Sequence, residues 1–183
     1  LIYLHFTMDD NLSLSEKIKE RYRAMYVGVF FKRFIEGLWV AAEGLIYILF
    51  AERPDDFVVD EAPEPIQYAV IGVDFGGSKS GHSFTLTGFT RGFKKVGVLD
   101  DFYHDNVAKG RLSPAFVDFV QRAKQKYRVY EAYCDNAEQT LIEGLTVAAA
   151  KNRLGVEVKN AIKGPINDRI AFYCSLMAQG RFF

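Results

Sequence analysis

The chain has 183 residues, 49% of them hydrophobic, and its 23 basic and 23 acidic side chains balance to zero net charge. That apolar share suffices for a buried core and excludes a disordered chain. No stretch nears the roughly 20 apolar residues needed to cross a bilayer, and LIYLHFTMDD lacks a signal-peptide pattern, so the sequence predicts a soluble protein with no membrane partner.

The charge is uneven along the chain. Residues 1–65 carry 7 basic and 12 acidic side chains, net −5, and residues 66–183 carry 16 and 11, net +5. The second part is thus permitted, though not required, to meet a polyanion. Ser13 and Glu16 read as a capping box before Leu14, Ile18, Tyr22 and Met25, which predicts a helix over 14–25. Beyond Gly28 come Phe30, Phe31, Phe34 and Trp39, then EGLIYILF, read as a strand or buried run; so large an apolar load needs a partner surface. AERPDDFVVDEAPEP, residues 51–65, holds three of the five prolines and reads as a linker with extended, solvated ends. It divides a first region, 1–65, from a second, 66–183. The start without Met and the end in GRFF suggest a fragment of a longer protein.

After the linker, QYAVIGVDF, HSFTLTGFT and KKVGVLDDFYH read as three strands joined by short turns. SPAFVDFVQRAKQKY is a helix by its periodicity, with Ser113 expected as N-cap and Pro114 at the first position. VYEAYCD, AEQTLIEGL, GVEVKNA and INDRIAFYCSLMAQG continue as strand, helix, strand and helix. The order βββαβαβα predicts an α/β fold, a ribonuclease-H-like mixed sheet flanked by helices, preceded by a helical and aromatic connector. Cys134 and Cys174 lie 40 residues apart with no CxxC and no histidine at zinc-ligand spacing, so both are expected as reduced core thiols of a cytosolic protein.

Asp74 and Asp135 each end an apolar strand, and in this order strands one and four are parallel neighbours. Their carboxylates should meet at one sheet edge, where they repel unless a cation lies between them. Hard divalent metals take such oxygen ligands, and a metal pair suits phosphodiester hydrolysis. The plainer reading is that each carboxylate only accepts hydrogen bonds from the following loop.

These residues resemble the large terminase subunit of tailed bacteriophages, in its C-terminal nuclease region. CDNAEQTLIEGL is similar to that family's Asp-Ser-Ala-Glu-Pro segment, with Asn136 and Gln139 at the commoner Ser and Pro positions; VIGVDFGGSKSGHSFTLTGF is similar to its first catalytic strand and hairpin, and NAIKGPINDRI to its Lys-Gly stretch. HFTMDDNLSLSEKIKERY and FFKRFIEGLWVAAEGLIY look like the end of the packaging ATPase and its connector. The resemblance implies a Mg²⁺- or Mn²⁺-dependent endonuclease, with two ions, that cuts concatemeric double-stranded viral DNA during packaging in the host bacterial cytoplasm. It implies as partners the portal protein, the small terminase subunit and an upstream ATPase domain. Asp74 and Asp135 would be the catalytic metal ligands. No Walker A loop is present, so this chain is not expected to hydrolyse ATP.

The family has a further acidic residue well downstream of the second aspartate, expected here beyond Phe183, with Asp168 the best internal substitute. An aspartate at a helix start also favours the helix dipole without any catalytic role. Glu138 and Glu143 read as capping or solvated carboxylates, and His82 and His104 as surface or hydrogen-bonded groups. Lys79, Arg91, Lys94 and Lys95 cluster around the predicted hairpin turns and are candidate DNA-backbone contacts, as is Lys163. Two other readings stand beside this one: a nucleotide-binding half-domain like those of actin-like and sugar-kinase ATPases, suggested by GVDFGGSKSG, and a non-catalytic DNA- or portal-binding module.

Overall fold

The structure is a computed structural model that describes residues 5–38, 46–76, 81–104, 111–135 and 138–183. Its helices, in chain order, are α1 (Glu16–Met25), α2 (Gly28–Phe34), α3 (Ile48–Glu52), α4 (Leu112–Lys126), α5 (Gln139–Lys151) and α6 (Ile166–Ala178). By packing, the chain divides into two compact units, one of Leu1–Asp60 with Lys163–Phe183 and one of Glu61–Ile162. The last helix therefore groups with the first region, whereas the sequence reading has it close the sheet domain.

The second unit is built on a five-stranded mixed sheet. β1 (Ile66–Asp74), β2 (His82–Thr90) and β3 (Val96–His104) form an antiparallel meander, and β4 (Val129–Cys134) and β5 (Glu157–Asn160) add in parallel on the other side of β1, in the order β3-β2-β1-β4-β5. This is the mixed sheet of a ribonuclease-H-like α/β fold. Alternation sets the faces: Ala69, Ile71 and Val73 of β1, Phe84 and Leu86 of β2, and Ala132 and Cys134 of β4 all enter one core. Phe84, fully buried, stacks on Phe102 at 5.0 Å and meets Phe116 and Phe119 at 5.7 and 5.6 Å.

Two helices cover that same sheet face, α4 through Phe116, Phe119, Val120 and Ala123, and α5 through Ile142, Leu145 and Ala149. α4 starts at Leu112 with Arg111 as N-cap, so Ser113 lies inside the first turn and does not cap it. Burial of Leu112 draws the start two residues earlier than the hydroxyl signal implies.

In the first unit, α6 packs on α1 and α3. The expected Ser13–Glu16 capping box does not form: Ser15 is the N-cap, and Ser13 gives its hydroxyl to Asn11 Oδ1 at 2.5 Å. Residues 48–50, within the run read as a strand or buried segment, are helical; a short apolar run does not by its period separate the two states. The linker is more ordered than its composition suggests, with a 3₁₀ turn at Pro54–Asp56 and Phe57 buried against Phe50 at 5.9 Å. Among the described residues no helix is long and apolar enough to cross a membrane.

Candidate functional site

The sheet face away from α4 and α5 carries the alternate residues of each strand. Along β1 these are Tyr68, Val70, Gly72 and Asp74, and their cross-strand neighbours on β2 are Phe89, Thr87, Thr85 and Ser83. On β4 the matching neighbour of Gly72 is Tyr133. Gly72 is exposed, and a Cβ placed there would meet only the Thr85 carbonyl at 3.9 Å, so the middle of this face is a shallow, open floor.

The floor leads to the two aspartates. Val73 pairs with Cys134 in the parallel ladder, and the Asp135 N–H donates to the Val73 carbonyl at 3.2 Å. One residue further along, Asp74 and Asp135 are side-by-side ends of strands that run about 4.8 Å apart. Since Val73 and Cys134 are both buried in the core, alternation turns the following pair to the opposite face. Asp74 is exposed and Asp135 half-buried. Burial pushes the Cys134 thiol up to about 11, so it stays protonated at neutral pH and anchors its strand without offering a metal ligand.

Behind Asp74 the backbone is pinned by His82, whose Nδ1 accepts the Gly76 N–H at 3.2 Å while the ring stands edge-on to Phe75 at 6.2 Å. His82 is thus a hydrogen-bonded histidine beside the candidate edge. His104 pairs with it across β2 and β3. Glu138 is the exposed N-cap of α5, without a side-chain capping bond, and Glu143 is an exposed residue within that helix.

Among the described residues there is no group of three or more His, Cys, Asp or Glu disposed to hold a metal ion. Asp74 and Asp135 directly follow the paired residues Val73 and Cys134. Asp168 lies in the first unit, in the opening turn of α6, where it lines a cavity of about 640 Å³ with Arg21 and Tyr26 of the α1 region. Lys163, exposed, also belongs to that unit.

The predicted basic cluster falls only in part on described residues. Lys79 lies outside the described residues. Arg91, Lys94 and Lys95 occupy the β2–β3 turn, level with Ile66 and not with Asp74, which puts them at the opposite end of the sheet, about 26 Å away for eight residues of extended chain.

Sequence reading missed a charged network on the open face. Lys159 donates to Glu131 Oε1 at 2.7 Å and lies 3.0 Å from Glu157, and the Tyr133 hydroxyl donates to Glu131 Oε2 at 2.9 Å. The Lys159 hydrogen bond, helped by Tyr133, holds the Glu131 carboxyl below its ordinary value, and the bonds to Glu131 and Glu157 raise Lys159. The bond to Glu131 raises Tyr133. The alternation of EVK in β5 is the available signal, but the partner strand had to be known first.

Two crystal forms of the large terminase from a thermophilic bacteriophage are 30% identical to this chain over 98% of its length and 43% of theirs, with TM-scores of 0.73 and 0.69. The P22 large terminase nuclease domain, at 13% identity, TM-score 0.54, and coverage of 76% of this chain and 71% of that one, shares the fold. No protein-family model and no curated protein matches the chain. The chain spans less than half the length of the thermophilic phage's large terminase. Its resemblance to large terminases extends over nearly all of its residues, in fold and in sequence.

Proposed function

We propose that a chain so similar to part of a large terminase carries a metal-dependent endonuclease that cleaves concatemeric double-stranded viral DNA during genome packaging. The observation that carries this reading is the β1–β4 register, which makes Asp74 and Asp135 cross-strand neighbours at the end of the open face. Two adjacent carboxylates with solvent access fit hard divalent cations, which need only one or two protein carboxylates when water and substrate phosphate complete the shell.

In this reading Asp74 and Asp135 are the catalytic metal ligands, and Asp168 is the third candidate. Two bound Mg²⁺ or Mn²⁺ ions would supply activation of water and neutralisation of the leaving oxygen. The chain's own part is positional. Asp74, exposed at a strand end, is open to an approaching phosphodiester, and His82 steadies the backbone that follows through Gly76. Lys79 and Lys163 are candidate phosphate contacts, and Arg91, Lys94 and Lys95 would meet DNA only at the far sheet end. Residues 1–65 would connect this nuclease region, 66–183, to an upstream ATPase domain, with the portal protein and small terminase subunit as further partners, in the host bacterial cytoplasm.

The test is cleavage of linear duplex DNA in Mn²⁺ or Mg²⁺ by the parent, Asp74→Ala and Asp135→Ala, with isothermal titration of Mn²⁺ for those variants and Asp168→Ala. Slow cleavage without sequence preference is expected, lost with EDTA and with either substitution at Asp74 or Asp135. Parental cleavage by Asp74→Ala would overturn the assignment; DNA retention without cleavage in Mn²⁺ would favour a binding module, and ATP binding a nucleotide-binding half-domain.

A further inference from the structure

The end of the sheet away from the aspartates has a construction of its own. Tyr68 and Phe89 are cross-strand partners whose rings stack at 5.1 Å and 19°, and Phe93 stands edge-on to both at 5.8 and 5.7 Å. Phe93 is 55% exposed. Its φ of 56° lies in the left-handed region, next to Gly92 at 68°, a conformation that costs a bulky residue on the order of 1 kcal/mol. Glycine would occupy that position without strain.

The turn is held shut despite this. Fully buried Thr90 accepts the Lys95 N–H on Oγ1 at 2.9 Å, and its own N–H donates to the Lys95 carbonyl at 3.0 Å. The fold thus keeps an exposed ring in a costly conformation on a rigid base. Around the ring, residues 89–98 contain Arg91, Lys94 and Lys95 and no acidic residue. Arg128, exposed, adds a cation at the same end, where its carbonyl accepts the Ala69 N–H at 2.8 Å.

We infer that this aromatic and basic end binds single-stranded DNA, with an unpaired base stacked against Phe93 and the flanking phosphates met by Arg91, Lys94 and Lys95. Aromatic faces with adjacent cations suit unpaired strands, because bases in an intact duplex have no open face to offer. The cations alone would suit any polyanion; the exposed ring selects one with free bases. The inference rests on the proposed nuclease only in taking DNA as the ligand. The binding end is about 26 Å from the level of Asp74, so it acts apart from the cut.

The experiment is fluorescence anisotropy in EDTA with the full chain and a labelled oligothymidylate of about 12 nucleotides, long enough to cover a stacked base and its flanking phosphates, beside a duplex of equal length. Phe93→Gly is expected to weaken single-strand binding about tenfold, a loss within the range for one stacked base, while duplex binding changes less than about twofold. Phe93→Tyr should bind like the parent. Arg91→Ala should flatten the salt dependence by roughly 0.7 in log-log slope. Thermal melting checks that Phe93→Gly is folded, which release of the strained φ favours. Parental single-strand affinity in Phe93→Gly, equal losses for single strand and duplex, loss of binding in Phe93→Tyr, or no binding by the parent at low salt would each overturn the inference. Cleavage of duplex DNA dependent on Asp74 would survive any of those results, and its failure would leave the anisotropy result standing.

Discussion

β1 has two ends that the same sheet makes chemically opposite. At Asp74 the strand stops beside β4, which Asp135 follows directly, and the side chains there are hard oxygen donors. At Ile66 the neighbouring turn presents aromatic rings and cations. Parallel pairing explains the first: strands that run the same way bring their carboxyl ends, and hence Asp74 and Asp135, to one edge. Antiparallel pairing explains the second, since the β2–β3 turn returns to the start of β1. One strand therefore carries a candidate cation edge and a candidate anion-binding end without mixing them.

The largest test of that contrast lies at the aspartate end. Asp74→Ala or Asp135→Ala should lower the rate of duplex cleavage at least about a hundredfold, since lost charge stabilisation of a few kcal/mol costs about tenfold per 1.4. The double variant should be no worse than either single one if the two act as a unit. Oligothymidylate binding at the other end should stay unchanged; a parallel loss would erase the distinction.

Phe84→Ala breaks the comparison through the shared core. It removes a fully buried ring that lies opposite Val73, near the aspartate end, so urea unfolding should show a loss of about 3–5 kcal/mol, with cleavage hit harder than oligothymidylate binding. Thr90→Val acts on the turn end alone. It leaves the Lys95 N–H without its side-chain acceptor and should cost about 1–3 kcal/mol by the same measurement, with metal binding unaltered.

The smallest effect concerns the charged network on the open face. Glu131 is held below its ordinary 4.5 by Lys159, so its contribution to stability is present above that pH and is lost as pH falls through the depressed folded value. Lys159→Met should flatten thermal stability against pH in that acidic window and leave the neutral range little changed. Since the pair is about a third exposed and so screened by solvent, the shift will be modest.

Much of the sheet was legible because each strand carries its own period-two or apolar signature. β1, β2 and β3 follow QYAVIGVDF, HSFTLTGFT and KKVGVLDDFYH closely, and their turns are short enough to force antiparallel neighbours. Helix starts were less legible: Arg111 and Ser15 displaced Ser113 and Ser13 as caps, because burial of a neighbour and competing local hydrogen bonds decide between adjacent candidates. Of the candidate site, the adjacency of β1 and β4 followed from strand order; the register that sets Asp135 beside Asp74 did not. The separation of Arg91, Lys94 and Lys95 from that edge did not, since it depends on strand direction carried over eight residues.

The sequence by itself determined which segments become strands and helices, and which residues hold oxygen donors, cations and rings, because those are properties of side-chain type and local period. Only the tertiary structure decided who stands beside whom. Pairing register lets Val73 meet Cys134 and so sets Asp135 next to Asp74; the hairpin return sets Phe93 against Tyr68 and Phe89; and packing on α1 and α3 groups α6 with the first unit. These are contacts between residues far apart in the chain, and their free energy resides in burial and pairing that no local stretch contains.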